Sequence, residues 1–450
     1  MKYDAIIIGF GKAGKTLAGV LAKRGKKVAL IEKSTQMYGG TCINVGCIPS
    51  KSLVISAEHA SRHSNSDFSK KADCYKSAIE EKRRVTSMLR KKNYDKLNDL
   101  EAVTIYDGTG HFLSETQVQV DRTDGSSEVL EAEKIFINTG SKPIDLGIPG
   151  MENNPKVYTS ETLMDEEKLP KHLILIGAGY IGMEFASMYR NFGSEVTVLQ
   201  DGGDFLKRED RDVADAIHQI MENRGVKFIL GAKTTAIEDG KVLYDKDGSH
   251  QEITGDAILI AAGRKANTEE LDVGQAGILL TKRGAVQVDE FLRTNVPNIW
   301  AMGDVNGGPQ FTFVSLDDYR IVLSQLDGKG RSRESRVNVP YSVFMDTPLG
   351  RVGITEAQAR EKGIPVKIAK LPTAAVPKAQ VLRKTDGFLK AVIHAETGKI
   401  LGAALLCPEA YEMINLLKLA MDMDVDYTVL RDQIYTHPTM TEAFNDLFAV

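Results

Sequence analysis

The stretch that decides the fold is YDAIIIGFGKAG, at residues 3–14. Its apolar run predicts a buried strand, and Gly9, Gly11 and Gly14 then form a GxGxxG turn that opens a helix. The three glycines allow a tight turn, a close approach of backbone to a pyrophosphate, and close packing of helix on strand. A second strand should end at Glu32, where an acid can hold ribose hydroxyls. The stretch therefore predicts a dinucleotide-binding βαβ unit.

The same pattern returns 168 residues later, with Gly177, Gly179 and Gly182 in place of the first three glycines. Apolar runs at residues 173–176 and 195–199 supply the two strands around it. One GxGxxG is weak evidence, but two in the same strand–turn–helix–strand context are strong evidence. The chain is therefore expected to bind two dinucleotides.

The second site carries Gln200 where the first carries Glu32, and Asp201 follows it. The glutamine departs from the acid expected of an NAD site, whereas an NADP site would need Arg or Lys for the 2′-phosphate. No Arg or Lys occurs at residues 200–206, and Asp201 would repel a phosphate. The sequence therefore favours NADH over NADPH.

Between the two sites, residues 39–51 read GGTCINVGCIPSK and place Cys42 and Cys47 five residues apart. Five helical residues rise about 7.5 Å, which is too far for a disulfide, so irregular backbone is expected there. Gly46 should supply freedom in φ, and Pro49 fits only the first turn of a helix that begins near residue 48. A helix N-terminus lowers thiol pKa values. The pair is predicted to be a redox dithiol.

Two other roles for the cysteine pair are disfavoured. Zinc usually takes four N or S ligands, and neither a second CxxC nor a His pair accompanies Cys42 and Cys47. A permanent disulfide belongs to oxidising compartments, and the chain has only 4 cysteines. Cys407 ends an apolar run and should be a buried small hydrophobe, and Cys74 lies in a charged stretch.

Length and charge limit the remaining possibilities. A chain of 450 residues predicts about three domains, and its net charge of −4 gives no reason to expect nucleic acid or anionic lipid. No apolar run approaches the ~18 residues of a membrane span, and the first apolar run is too short for a signal peptide, so a cytoplasmic location is expected. The charged stretch 70–96 is predicted to be a solvated amphipathic helix.

Four further motifs give the chain a family resemblance. They are FINTG at 136–140, ILIAAGR at 258–264, NIWAMGD at 298–304 and HPTMTE at 437–442. With the two fingerprints and the dithiol, the whole chain resembles the class I pyridine nucleotide–disulfide oxidoreductases. Dihydrolipoamide dehydrogenase, glutathione reductase and mercuric reductase belong to this family.

The resemblance implies an α/β protein with two Rossmann-like domains, which bind FAD and NADH, and a C-terminal α+β dimerisation domain. Residues 1–150 and 265–335 would form the FAD domain, 151–264 the NAD(H) domain and 336–450 the dimerisation domain of a homodimer. The polar stretch 331–338 is predicted to be a linker.

The resemblance also implies roles for the site residues. Cys47 would be the thiolate beside the flavin and Cys42 the thiol that meets substrate, with Lys51 and Glu184 paired near the flavin. His437, oriented by Glu442, would serve the dithiol of the neighbouring protomer. Expected cofactor contacts are Gly9, Gly11, Gly14, Glu32, Lys33, Gly40, Thr41, Lys51, Thr139, Gly140 and Asp304 for FAD, and Gly177, Gly179, Gly182, Gln200 and Gly263 for NADH.

The expected acceptor is a copper ion or a small disulfide. Segments 310–322, 340–345 and 430–438 resemble the bacterial reactive-chlorine-resistance branch of the family, which is mercuric-reductase-like and associated with NADH-dependent Cu(II) reduction. Residues 444–450 lack the vicinal cysteines of mercuric reductases, and the missing NADP arginines disfavour glutathione reductase. Dihydrolipoamide dehydrogenase remains the main alternative, and a non-enzymatic redox sensor on a flavoprotein scaffold is another.

Overall fold

The computed structural model describes residues 1–62 and 67–450. Contacts within the chain divide it into two compact units. Unit 1 comprises Met1–Ser52, Ala78–Asp145 and Gly263–Arg336, and unit 2 comprises Leu53–Ser77, Leu146–Ala262 and Val337–Val450. The finer division into three domains stays a prediction.

The chain contains both strands and helices, as expected of an α/β protein, with runs of consecutive strands over residues 103–159 and 226–266. In chain order they are β1 (Lys2–Ile8), β2 (Val28–Glu32), β3 (Val103–Phe112), β4 (Gln117–Arg122), β5 (Ser127–Ile137), β6 (Ser141–Pro143), β7 (Val157–Thr159), β8 (His172–Ile176), β9 (Glu195–Gln200), β10 (Val226–Leu230), β11 (Lys233–Glu238), β12 (Lys241–Lys246), β13 (Ser249–Thr254), β14 (Ala257–Ile260), β15 (Arg264–Ala266), β16 (Ile299–Ala301), β17 (Tyr341–Val343), β18 (Leu349–Gly353), β19 (Val366–Pro372), β20 (Phe388–His394) and β21 (Ile400–Leu406).

The helices vary widely in length. In chain order they are α1 (Lys12–Lys23), α2 (Thr41–Asn44), α3 (Cys47–Ser61), α4 (Phe68–Asn98), α5 (Ser160–Leu163), α6 (Tyr180–Phe192), α7 (Arg211–Asn223), α8 (Thr312–Leu326), α9 (Glu356–Glu361), α10 (Pro377–Leu382), α11 (Ala410–Asp422), α12 (Tyr427–Arg431) and α13 (Ala443–Leu447). In the part of the chain that the structure describes, none of them is long and apolar enough to cross a membrane.

Unit 1 is built on a six-stranded sheet in the order β1-β2-β3-β4-β5-β16, in which β1 also pairs with β5. Strands β2 and β5 flank β1 in parallel, and β16 runs parallel to β5. The strand–helix–strand run β1, α1 and β2 has the predicted order and nearly the predicted ends. Its apolar residues, such as Ile6, Ile7 and Leu30, are fully buried, which explains why the run reads as continuously hydrophobic.

Unit 2 contains a five-stranded parallel sheet in the order β10-β9-β8-β14-β7 and a three-stranded sheet β11-β12-β13. The second GxGxxG lies between β8 and α6, as predicted. The two fingerprints repeat in their hydrogen bonds as well. The amide of Gly9 donates to the Ile31 carbonyl at 2.8 Å, and that of Gly177 donates to the Leu199 carbonyl at 2.8 Å. The internal repeat therefore extends from sequence to backbone geometry.

The C-terminal part of unit 2 is an antiparallel sheet in the order β17-β18-β21-β20-β19. Helix α11 packs on its strands β18 and β21. Cys407 directly follows β21 and is fully buried among apolar side chains, in agreement with the predicted structural role. A mixed sheet, a parallel sheet and a separate antiparallel sheet, together with the helices, confirm the predicted mixed α/β class.

The predicted linker at residues 331–338 is fixed to the rest of unit 1 by ion pairs. Arg336 is largely buried and donates from Nε to a carboxylate oxygen of Asp317 at 2.8 Å. It also contacts Asp318, whose other carboxylate oxygen accepts the amide of Gly303 at 2.7 Å. The segment therefore anchors the backbone next to Asp304. The charged stretch 70–96 is helical, as predicted, within α4.

Candidate active site

The two cysteines lie on either side of a break between two helices. Cys42 is the second residue of α2, and Cys47 is the first residue of α3. Val45 and Gly46 interrupt the helical path, which agrees with the prediction of irregular backbone between the cysteines. The reason for a glycine at residue 46 was predicted wrongly. Its φ is not left-handed; instead, a Cβ there would lie 2.9 Å from the Thr41 carbonyl oxygen, so the backbone approaches too closely for a side chain.

Both cysteines are thiols in the structure, and the two side chains share a hydrogen bond. The Sγ of Cys47 also lies 3.6 Å from the hydroxyl oxygen of Thr312, the first residue of α8. The hydrogen bond with Cys47 and burial raise the pKa of Cys42, while Thr312 and Lys15 oppose the rise. The predicted lowering of thiol pKa values at a helix N-terminus is therefore wrong for Cys42, because its neighbour and its burial outweigh the helix.

The first fingerprint forms a cradle that side chains would fill. A Cβ on Gly9, whose φ is +105°, would lie 2.4 Å from the Asn138 carbonyl oxygen. Gly40 approaches Gly11 so closely that a Cβ on Gly40 would lie 2.8 Å from the Cα of Gly11. Gly11 precedes α1 without a side-chain cap, and the amides of Ala13 and Gly14 donate to the Ser315 hydroxyl at 3.3 Å and to the Asn138 side chain at 2.9 Å. A pyrophosphate would therefore approach the glycine turn itself. These features fit the pyrophosphate of FAD.

Glu32 lies at the end of β2 beside this cradle. Its carboxylate accepts the amide of Phe10 at 3.0 Å and the amide of Ser34 at 3.2 Å. Burial raises the pKa of Glu32 to about 7, although these bonds oppose the rise. The neighbouring Lys33 pairs with Glu270 at 2.6 Å. A carboxylate held in this way can accept ribose hydroxyls.

Asn138 joins the parts of the first site, and the sequence interpretation did not single it out. Its Oδ1 accepts the amide of Gly14 at 2.9 Å, and its Nδ2 donates to the Met302 carbonyl at 2.6 Å. The residue therefore ties the fingerprint to the segment before Asp304. Its position inside the FINTG motif, next to Thr139, was the signal available in the sequence.

Other residues expected at the flavin lie around this link. Asp304 accepts the Ser141 hydroxyl at 2.7 Å, and burial raises the pKa of Asp304. Thr139 donates to the Asn267 carbonyl at 2.7 Å, and Gly140 has a φ of +73°. A Cβ on Gly140 would lie 4.0 Å from the Thr41 hydroxyl, so this turn comes close to α2.

The second fingerprint has a similar cradle. A Cβ on Gly177 would lie 2.7 Å from the Ala261 carbonyl oxygen, and one on Gly182 would lie 2.2 Å from the Gly177 carbonyl oxygen. A Cβ on Gly179 would meet no heavy atom within 4 Å, so this glycine faces open space at the start of α6. Gly263, the last predicted contact, has a φ of +118°. The arrangement fits a second dinucleotide.

The loop after β9 brings a cation near Gln200 that the sequence interpretation missed. Residues 200–206 contain no Arg or Lys, but the next residue, Lys207, folds back towards the end of β9. A Cβ on Gly202 would lie 3.5 Å from the Lys207 Nζ and 3.7 Å from the Gln200 Nε2. The loop between Gln200 and Lys207 returns on itself, and spacing along the chain does not reveal such a return.

His437 and Glu442 form the predicted pair. The Nδ1 of His437 lies 2.7 Å from one Glu442 carboxylate oxygen, and the other oxygen accepts the amide of Thr439 at 3.0 Å. Burial alone would raise the pKa of Glu442, but its hydrogen bonds with His437 and Thr439 hold the pKa below the usual value. The His437 side chain is 69% exposed, so its Nε2 edge is accessible to another molecule.

Two predicted relationships are not decided by these contacts. Lys51 donates from Nζ to the Ser50 hydroxyl at 3.3 Å, and Glu184 accepts the amide of Phe344 at 2.9 Å. Their pairing with each other stays a prediction, as does the action of His437 on a neighbouring protomer. Within residues 1–62 and 67–450, no group of three or more His, Cys, Asp or Glu side chains is arranged to hold a metal ion.

Comparisons with known proteins agree with this geometry. Residues 3–318 match the family described as pyridine nucleotide-disulphide oxidoreductase, and residues 339–448 match its dimerisation domain. The chain is 49% identical to the probable pyridine nucleotide-disulfide oxidoreductase RclA of Escherichia coli, over 100% of this chain and 99% of the relative. It is 34% identical to a dihydrolipoyl dehydrogenase of Geobacillus stearothermophilus, over 98% of this chain and 94% of the relative.

A solved structure gives a similar result. The HOCl-induced flavoprotein disulfide reductase RclA of Escherichia coli, solved as its Cu(II) complex, superimposes with a TM-score of 0.93 at 49% identity. The match covers 100% of this chain and 99% of that chain. The predicted resemblance in sequence is thereby confirmed over the full length, both of its domain types included.

Proposed function

The chain belongs to the pyridine nucleotide-disulphide oxidoreductase family, and on this basis we propose that it passes electrons from NADH through FAD and the Cys42–Cys47 pair to Cu(II). The observation that carries the proposal is the hydrogen-bonded thiol pair beside Thr312, in a chain 49% identical to a reductase solved with Cu(II). The family implies FAD and a nicotinamide dinucleotide as electron carriers. NADH as the electron donor and Cu(II) as the acceptor are part of the proposal.

The cradle residues hold the two carriers. The glycine turn before α1 would receive the FAD pyrophosphate, and Glu32 would accept its ribose hydroxyls. Asp304 and Thr139 would contact the rest of that dinucleotide, as the family resemblance implies. Bound at this site, FAD would supply the two-electron chemistry that links the nicotinamide to the cysteine pair.

The two cysteines divide the remaining work. We assign the thiolate beside the flavin to Cys47 and the substrate thiol to Cys42. The position of Cys47 as the first residue of α3 supports this division, because a helix N-terminus favours the thiolate. Lys51 and Glu184 would form the ion pair that stabilises negative charge near the flavin.

The base for disulfide substrates is His437, which Glu442 orients through the hydrogen bond at Nδ1. It would act on the dithiol of a second protomer in a homodimer, as the match of residues 339–448 to the dimerisation domain supports. Large apolar side chains remain uncovered in the same region: Ile434 is 92% exposed and Met423 is 68% exposed. A partner chain would bury such a surface.

The copper reaction balances with the dithiol alone. Two Cu(II) ions take one electron each from the reduced pair, which becomes the Cys42–Cys47 disulfide and releases two protons, and two Cu(I) ions form. Soft thiolates favour Cu(I) over Cu(II), so the same sulfurs assist the reduction. No leaving group needs a proton in this step.

The test measures NADH oxidation by the purified holoenzyme with Cu(II), lipoamide and oxidised glutathione as acceptors, side by side. A chromogenic Cu(I) chelator should record two Cu(I) per NADH, and Cys42→Ser should abolish its signal. Cys74→Ser is the matched control, since Cys74 is an exposed cysteine outside the site. Lipoamide turnover far above the copper rate would overturn the proposal.

Such a result would support the second candidate, dihydrolipoamide dehydrogenase. The 34% identity to a dihydrolipoyl dehydrogenase and the His437–Glu442 pair favour this candidate, because a dithiol substrate needs a base.

A further inference from the structure

A buried carboxylate collects three hydrogen bonds next to the second fingerprint. One oxygen of Glu209 accepts the hydroxyl of Tyr180 at 2.6 Å and the hydroxyl of Tyr341 at 2.6 Å. The other oxygen accepts Nε of Arg351 at 2.9 Å. The side chains of Glu209 and Arg351 are 0% and 5% exposed, so solvent does not weaken this pair.

Arg351 transmits the position of the C-terminal sheet. Besides Glu209, its guanidinium donates to the Ala403 carbonyl at 2.7 Å and to the Val352 carbonyl at 3.2 Å. Residue 351 lies on β18, and Ala403 lies on the neighbouring strand β21. The guanidinium is therefore fixed by the sheet, and it fixes the Glu209 carboxylate in turn.

Tyr180 carries this constraint into the dinucleotide site. It is the first residue of α6 and follows Gly179, which faces open space where a pyrophosphate would approach. Burial and the charge of Glu209 raise the pKa of Tyr180, so its hydroxyl stays protonated and continues to donate. The network therefore ends at the mouth of the second fingerprint.

We propose that Arg351 and Glu209 are positioning residues for the nicotinamide dinucleotide, and that they act by holding Tyr180 at the start of α6. The C-terminal sheet thereby sets the affinity of the second site. The inference rests on the part of the proposed function in which a nicotinamide dinucleotide donates the electrons, and it is independent of the acceptor.

A second buried cation, Lys390, allows an effect on NADH binding to be separated from a general loss of protein stability. The Nζ of Lys390 lies 3.1 Å from an Asp210 carboxylate oxygen, 3.0 Å from one of Asp212 and 2.8 Å from one of Glu356. Its side chain is 3% exposed, and it joins β20 to the same segment that contains Glu209. Lys390 thus contacts these three carboxylates, whereas Tyr180 bonds to Glu209 and Tyr341. Lys390→Met is therefore a matched control for Arg351→Met.

The experiment mixes each oxidised holoenzyme anaerobically with increasing NADH and follows flavin absorbance in a stopped-flow instrument. The half-reaction gives a dissociation constant and a limiting rate without any acceptor. We expect Arg351→Met to raise the dissociation constant about tenfold and to change the limiting rate less than about twofold. Lys390→Met should change the dissociation constant and the limiting rate by less than about twofold. It should lower the melting temperature by about as much as Arg351→Met does.

Tyr180→Phe keeps the ring and removes only the hydroxyl, so it provides a test if Arg351→Met does not fold. We expect it to raise the NADH dissociation constant about threefold, with a melting temperature near that of the parent protein. An unchanged dissociation constant in Tyr180→Phe, or equal rises in Arg351→Met and Lys390→Met, would overturn the inference. If NADH does not reduce the parent holoenzyme, the proposed function fails instead.

Discussion

The side-chain oxygen of Gln200 accepts the amide of Ala178 at 2.8 Å. The same bond occurs 168 residues earlier, where Glu32 accepts the amide of Phe10 at 3.0 Å. The glutamine therefore keeps the geometry of the repeat and removes its charge. A neutral group at this position neither attracts nor repels a 2′-phosphate, so the choice of nicotinamide dinucleotide depends on the charges nearby.

Those charges include Asp201, Asp204 and Lys207, whose Nζ lies 3.5 Å from an Asp204 carboxylate oxygen, and the role of the lysine can be tested directly. If the Lys207 ammonium beside Gly202 contacts a 2′-phosphate, Lys207→Met should lower kcat/KM for NADPH by about tenfold. The value for NADH should change less than about twofold. Steady-state assays with both donors provide the measurement, and Lys168→Met, an exposed lysine outside the loop, is the control. Equal losses with NADH and NADPH would contradict this role.

The glycines of the second fingerprint should respond differently to a methyl group. Gly179→Ala should fold normally, because its Cβ meets nothing within 4 Å, yet weaken NADH binding by about tenfold or more, because the methyl occupies the path of the pyrophosphate. Gly177→Ala should fail to fold, since its φ is +110° and its Cβ would lie 2.7 Å from a carbonyl oxygen. Stopped-flow titration and thermal melting measure the two effects. Normal NADH affinity in Gly179→Ala would contradict the assigned position of the dinucleotide.

FAD binding to the apoprotein should depend on pH through Glu32. Burial raises the pKa of this carboxyl to about 7, and ribose hydroxyls donate to its ionised form. Binding therefore lowers the pKa, and affinity should rise with pH, by up to about tenfold per unit, until pH 7 and then level off. Fluorescence titrations of the apoprotein with FAD between pH 5.5 and 8.5 measure this affinity. Glu32→Gln should flatten the profile, and Glu115→Gln, which changes an exposed carboxylate outside the site, should leave it unchanged. A sloping profile in Glu32→Gln would reject the assignment.

His437 should matter for disulfides and much less for copper. His437→Ala removes the base that exchanges protons with a thiol, so turnover of a disulfide acceptor should fall about a hundredfold. Copper reduction should fall less than about threefold, since no leaving group there needs a proton. Glu442→Gln should give an intermediate loss with the disulfide alone, because it weakens the orienting bond at Nδ1. Equal losses of disulfide turnover and copper reduction in steady-state assays of His437→Ala would contradict the proposal that His437 serves only disulfide substrates.

Local patterns predicted the two fingerprints well, and the reason is physical. A strand, a glycine turn and a helix are specified by residues within about thirty positions, so β1, α1 and β2 could be located from spacing alone. Gly46 shows the limit of such patterns. The sequence predicted a glycine needed for its φ, whereas the structure shows one needed because residue 41 returns against it.

Contacts between distant residues escaped prediction for the same reason. Asn138 bonds to Gly14 and to the carbonyl of Met302, and Glu209 bonds to Arg351, across separations that no local pattern records. The raised pKa of Cys42 likewise follows from its neighbour and its burial, which outweigh its place at a helix entrance.

The sequence by itself determined the fold class, the two dinucleotide sites, the dithiol and the family, because each is a pattern of residues close together in the chain. Only the tertiary structure decided which side chains hold those patterns in place. It brought Lys207 back to the strand end beside Gln200 and placed Arg351 of the C-terminal sheet against the segment that contacts Tyr180. Such contacts depend on how the chain returns on itself, and burial then makes a few charged pairs strong enough to position a site.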